Sequence, residues 1–368
     1  MAMAGKFLKK TDGANWRFVG CFFAGQMVQW VKGGEGVNNK KYVTLELIKL
    51  FAAYMVVFIH VPFLGDAGNV VDALARFAVP LFFLISGFFS YEIPIEKIKK
   101  RAKHILKITA LTTATYFLFK IAMMLYFGDM STVISYFKGF FNAKSLFDLF
   151  VFNLPFSSGH VWYLLALIYV YIIFYFITKF RVSQKIVWSA ALILLVLHIL
   201  LGEILSIFGI DIPIHFLRNF ALMGFPFFAL GLFARKHQDR LQKVSNLTIL
   251  IAIAIGCVES VVSRMLLQEN ELHIGSIFIM FALVVVFIKY ADLQYPKCFG
   301  VLTDCSTYIY VFHIVISDVI YILYSRFNIN IDAVVWLKLI HPIVVCIAST
   351  VFAICITQAK KLLKSKKK

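Results

Sequence analysis

The chain has 368 residues, of which 61% are hydrophobic, 15% charged and 39 are Phe, with a mean hydropathy of +0.84. That composition excludes an ordinary soluble domain and leaves a protein built from membrane spans. The formal charge of +18 is then no sign of nucleic-acid binding, because in such a protein basic residues serve first to orient the spans.

Residues 1–40 read as a cytoplasmic or interfacial segment. Their apolar stretch, Trp16–Val31, is short, is interrupted by Gly20, Gly25, Gln26 and Gln29, and has no clean cleavage site, so it reads as an amphipathic interfacial segment and not as a signal peptide. Residues 41–358 form the transmembrane domain. Ten helices are predicted, at about 42–62, 74–91, 105–127, 160–178, 186–202, 214–234, 247–264, 274–290, 305–325 and 335–357, and residues 359–368 are a basic cytoplasmic tail. Each stretch is too long and too continuously apolar for the alternating strands of a membrane barrel, so the expected fold is all-α and polytopic.

The basic residues set the orientation. Of 37 Lys and Arg, 28 fall before residue 42, in 92–107, 179–185, 235–243 and 289–297, and in the C-terminal tail. The alternate loops hold only Lys138, Lys144, Arg264, Arg326 and Lys338. This asymmetry places both termini in the cytoplasm and closes over ten spans. The six cysteines, Cys21 and Cys298 among them, avoid the outward loops and imply no disulfide framework. The longest outward loop, about 128–159, contains Ser145–Pro155, which is expected to lie flat on the membrane or re-enter it.

Within the first span sit three ionisable residues, Glu46, Lys49 and His60. Eleven steps of about 100° bring His60 back to the face of Lys49, roughly 16 Å further along the helix. Ionisable groups at such depth cost at least a few kcal/mol and mark a functional pathway. Glu46 stands one turn from Lys49 and suits a neutralising partner.

These residues carry a family resemblance. LELIKLFAAYMVVFIH (45–60) and RFAVPLFFLISGFFSY (76–91) are similar to the opening of the acyltransferase-3 family of integral membrane acyltransferases, which O-acylate surface glycans and related acceptors. Glu46, Lys49 and His60 match its acidic, basic and histidine spacing; Arg76, Pro80, Phe82, Phe83, Ser86 and Gly87 match its second segment. HVWYL (160–164), FPFFALGLF (225–233) and STYIYVFH (306–313) resemble later segments. The family's Arg-x-x-Arg becomes Arg101 and His104 in KKRAKHIL (99–106), and Lys49 stands where arginine is commoner. Lysine keeps that charge and loses the bidentate fork.

The resemblance implies an O-acyltransferase of the cell envelope, in a bacterial plasma membrane, that uses acetyl-CoA or another acyl-CoA as donor, a glycan or lipid-linked sugar as acceptor, and no metal. His60 is the expected general base, since an unperturbed imidazole titrates near working pH. Lys49, Arg76, Arg101, Lys103 and His104 are the expected donor-binding groups, because a polyanionic head is held by point charges and guanidinium forks. Glu46, His160, Trp162, Tyr310 and His313 are assigned supporting or acceptor roles. A transporter or flippase of a glycan or lipid intermediate is the alternative, as it too needs buried charge and a basic cytoplasmic face.

Overall fold

In the computed structural model, the residues described are 43–140, 142–155, 159–267, 270–291, 302, 305–329, 331 and 334–365. The readings of Trp16–Val31, Cys21 and Cys298 lie outside them. All regular elements among the described residues are helical: α1 Val43–His60, α2 Asp66–Ala75, α3 Ala78–Phe88, α4 Ile95–Phe127, α5 Met130–Phe140, α6 Ala143–Val151, α7 Trp162–Lys179, α8 Gln184–Ile199, α9 Phe225–Lys236, α10 Asn246–Leu266, α11 Ile274–Lys289, α12 Ser306–Arg326 and α13 Val335–Ser365, with short turns between them.

Seven stretches are long and apolar enough to cross a membrane: Asp66–Phe88, Ile95–Phe127, Gly159–Lys179, Gln184–Ile207, Asn246–Leu266, Ser306–Arg326 and Val335–Lys360. Their outer faces carry large apolar side chains that nothing in the protein covers, such as Leu192 and Ile193 on α8, Leu247 and Leu250 on α10, and Ile347 and Val351 on α13. Only lipid can satisfy such faces. The protein is a multi-pass membrane protein.

Three boundaries differ from the sequence reading, each for a local reason. The basic stretch 92–107 is mostly helix, because α4 starts directly after Pro94 and runs 33 residues, turning Ile98, Ile105 and Ile108 inward. The predicted second span is two helices that meet at Arg76 and Phe77. The predicted sixth is a short turn, Ile214–Leu217, and then a π-helical turn, Phe220–Gly224, that runs into α9. Asn219 starts this π turn by accepting hydrogen bonds from the backbone N–H groups of Ala221 and Leu222. The 128–159 loop contains α5 and α6, and α6 buries none of its side chains.

At the centre, α3 and α9 touch backbone to backbone. A Cβ on Gly87 would lie 1.9 Å from the carbonyl oxygen of Phe228, and one on Gly231 would lie 2.0 Å from that of Leu84. Small residues at these two points permit the approach, as in membrane helix pairs generally. Around this pair α8 packs on α9, α7 on α4, α10 on α11, and α12 on both α1 and α13.

Candidate active site

The chain brings three histidines together from three distant segments. His60 is the last residue of α1, His160 lies in the Gly159–Val161 turn that opens α7, and His313 sits two turns into α12. Ring centroids are 6.0 Å apart for His60 and His160, 5.3 Å for His60 and His313, and 5.3 Å for His160 and His313. Tyr310, one turn before His313, donates its hydroxyl to the carbonyl of His160 at 2.8 Å. Nδ1 of His313 lies 2.8 Å from the carbonyl of Tyr310. A carbonyl only accepts, so Nδ1 carries the proton in that contact, and Nε2 is buried with no hydrogen-bond partner among the described residues. Tyr116 closes the far side, its ring 4.7 Å from that of His160 and its hydroxyl donated to the carbonyl of Val311.

The three histidines differ in access. His160 and His313 are 3% and 0% exposed, whereas His60 is only half-buried. His60 faces a cavity of about 240 Å³ lined also by Val61, Pro62, Phe63, Leu64, Ser317, Tyr321, Ile331, Lys338 and His341. Of the three, His60 is the one that can meet a substrate in that cavity.

Beside the histidines is a buried ionic network. Arg76 forks onto Asp72, with Nη2 at 2.7 and 2.8 Å from the two carboxylate oxygens, and reaches Glu271 through Nη1 at 3.1 Å. Arg218 grips the same Glu271, Nε to Oε2 at 2.8 Å and Nη2 to Oε1, and covers the face of Trp162 with its guanidinium 5.9 Å from the ring centre. Arg264 approaches Asp72 at 3.4 Å. Three cations thus share two carboxylates, and Arg76, Arg218 and Glu271 all lie within electrostatic reach of His60.

The other expected site residues are at the opposite end of the bundle. Lys49 is buried and held by Glu46, Nζ to the two carboxylate oxygens at 3.0 and 2.9 Å. Eleven residues of helix separate it from His60, so the two share a face and do not touch. Arg101 turns its Nη1 onto the carbonyl of Phe89 and the hydroxyl of Ser90, at 2.8 and 2.9 Å, tying the start of α4 to the end of α3. Lys103 is exposed, and His104 is half-buried with Lys107 and Lys360 in electrostatic range. The predicted donor group therefore divides, with Arg76 at the histidine end and Lys49, Arg101, Lys103 and His104 at the basic end. Among the described residues no group of three or more His, Cys, Asp and Glu is arranged to hold a metal ion.

The sequence assigned no site role to His341, which lines the cavity, or to Arg218, which grips Glu271. It passed over Asp72, Glu271, Ser317, Tyr321 and Lys338. An arginine inside an apolar stretch was the one signal available for the network.

Residues 42–358 match the acyltransferase domain of the acyltransferase-3 family. An amino-acid racemase of Enterococcus faecalis is 24% identical over 363 residues, an alignment that takes in 90% of this chain and 47% of that protein. The chain thus spans about half the length of that curated relative. No solved structure matches. The family match covers every element that supplies the histidine cluster and the ionic network, and on it the chain belongs to the acyltransferase-3 family.

Proposed function

We propose that this protein moves an acyl group, acetyl in the simplest case, from a cytosolic acyl-CoA to a hydroxyl of an extracytoplasmic or lipid-linked sugar of a bacterial cell envelope. The observation that carries the reading is His60, half-open to a cavity and backed by the buried His160 and His313. In the proposed step His60 takes the acceptor's hydroxyl proton as the oxygen attacks the thioester carbonyl. The C–S bond then breaks, and the departing thiolate takes that proton to become the CoA thiol. In this reading the positive charge of Arg76 and Arg218, which reaches His60, favours the negative charge that develops in the transition state.

The donor's head belongs, in this reading, at the basic end, where Lys49, Arg101, Lys103 and His104 lie. In this reading ten spans with both termini in the cytoplasm put that end on the side where acyl-CoA is made, with α1, the Phe220–Lys236 stretch and α11 taken as crossings in addition to the seven long apolar ones. The racemase relative aligns through about half of its length, which fits a membrane module used in more than one setting.

The test is turnover of acetyl-labelled acetyl-CoA by the purified protein in proteoliposomes, with a sugar acceptor present. Free CoA and a labelled ester should form together. Sugar movement across the bilayer with the thioester intact would replace this reading with the transporter one.

A further inference from the structure

The π turn that follows α8, Leu200–Ile204, turns a glutamate into the bundle. Glu203 is 3% exposed and lies within the span Gln184–Ile207, while Glu259 lies within the span Asn246–Leu266. Their carboxyl groups are in hydrogen-bond contact with each other. Both also meet the start of α11: Glu203 Oε2 accepts the backbone N–H of Ile274 at 2.8 Å, and Glu259 Oε2 accepts that of Gly275. Glu203 Oε1 accepts in addition from the hydroxyl of Ser263, whose oxygen lies 3.0 Å from Nδ1 of His273. Two ionised carboxylates in contact repel strongly in an apolar interior, and a hydrogen bond between them needs an O–H on one. Glu203, with two donors already on it, is the better anion. Glu259, half-buried on α10 with one, is the better acid.

The surroundings favour one proton on this pair. His198 on α8 is 1% exposed, has no hydrogen-bond partner at either ring nitrogen among the described residues, and lies within electrostatic reach of both Glu203 and Glu271. Ser260 is 0% exposed and its hydroxyl is likewise without a partner. It is aimed at the pair, since a Cβ on Gly275 would collide with both Ser260 Oγ and Glu259 Oε2. The remaining charged and titratable groups are His273 and Glu271 before α11, Arg264 on α10, Asp72 and Arg76 at the end of α2, and Arg218 after the Ile214–Leu217 turn. With Glu259 neutral, Arg76, Arg218 and Arg264 stand against Asp72, Glu271 and Glu203. Loss of the proton would leave a surplus carboxylate, and buried charge is tolerated only where it is compensated.

We propose that Glu203 and Glu259 form a proton-binding site in the membrane interior. One proton is carried by Glu259 and shared with Glu203, and it keeps the arginine network beside His60 electrically balanced, with His198 standing between Glu203 and Glu271.

Infrared spectra of the full-length protein in nanodiscs read the proton directly, as the carbonyl stretch of a neutral carboxyl group that shifts in D₂O. At neutral pH, subtracting the Glu259→Gln spectrum from that of the wild type should leave one such band. Subtracting the Glu203→Gln spectrum should leave the same band, because Glu259 then takes over the negative charge that balances the arginines. Alkaline titration should remove the band from the wild type. Glu271→Gln makes the network more positive and should lower the midpoint of that titration by about one pH unit, a tenfold change in proton affinity. Arg218→Gln should raise it. In SDS unfolding, the unfolded carboxyl, with a pKa of about 4.3, has lost the proton that the folded pair keeps. Between about pH 5 and the band's midpoint the unfolding constant of the wild type should therefore rise up to tenfold more per pH unit than that of Glu259→Gln. Where Glu203→Gln does not fold, the other difference spectrum and the unfolding slopes decide. A blank difference spectrum for either folded variant, equal slopes for wild type and Glu259→Gln, or a midpoint unmoved by both network variants overturns the proposal. A blank spectrum with imidazolium bands in place of the carboxyl band would put the proton on His273 instead.

Discussion

Replacing Glu271 by Gln removes one negative charge and almost no volume from the network beside His60. Glu271 accepts three hydrogen bonds, one from Arg76 and two from Arg218. Bonds between charged groups are worth about 1.5–3 kcal/mol against about 0.5–1.5 for neutral ones, so each of the three loses roughly 1 kcal/mol. The total of about 3 kcal/mol agrees with the lower end of the 3–5 kcal/mol seen when one partner of a buried ion pair is removed. The lower end is appropriate, since the Arg218 side chain keeps 21% of its surface accessible. One carboxylate oxygen also becomes an amide N–H₂ that points a donor at a guanidinium. Reversible SDS unfolding in mixed micelles, followed by Trp fluorescence, gives the free energy. Adding Arg218→Met to Glu271→Gln should recover at least about 1.5 kcal/mol, because the uncompensated cation is then gone. A loss under about 1 kcal/mol for Glu271→Gln, or strict additivity in the double variant, would refute the network as a set of mutually neutralising charges.

Other outcomes follow from the same geometry. His60→Ala should leave a folded protein that binds CoA normally and transfers acyl groups at least ~100-fold more slowly; near-normal turnover in the proteoliposome assay would remove His60 from the mechanism. Gly87→Val should abolish the folded, monodisperse protein on size-exclusion chromatography, since its Cβ would sit 1.9 Å from a backbone oxygen of α9; a stable Val variant would show that the α3–α9 contact is looser than described. In a cysteine-free background, single cysteines at Asn69 and Asn328 should react with an impermeant maleimide from outside intact cells, and those at Gln184 and Asp239 only after lysis; the reverse pattern would place acyl-CoA binding at the wrong end.

Much of this architecture can be read from the chain, because long apolar runs and alternating basic loops answer directly to the bilayer. The sequence pattern also leads to His60, His160, Tyr310 and His313, which do meet. What pattern does not convey is why each motif residue is there. Gly87 and Gly231 belong to segments read as family signatures, and their place is where two backbones touch. Lys49 shares a face with His60, yet a shared face says nothing of contact across three turns. The start of α4 was hidden because a helix rich in lysine looks like a loop when only hydropathy is followed. The π turns at Leu200–Ile204 and Phe220–Gly224 break the 3.6-residue period on which any helical reading depends. The cavity walls were beyond reach for a different reason: Pro62, Tyr321 and His341 become neighbours only after the bundle has assembled.

At 33 residues α4 is about 50 Å long, and at 31 residues α13 is about 46 Å, against a hydrocarbon core of about 30 Å. Both excess lengths carry lysines, at the start of α4 and the end of α13. Helices that outrun the hydrocarbon by that much have to tilt, or let their ends protrude, by an amount that depends on its thickness. In a thin membrane both ends stand well clear of the headgroups, while Arg101 stays tied to the end of α3. Each ångström of added acyl chain draws the collar of charge closer to the lipid phosphates, which then compete for the same cations. Vesicles made from phosphatidylcholines of increasing chain length would therefore change how the basic end meets anions while the histidine cluster, buried among helices, keeps its geometry.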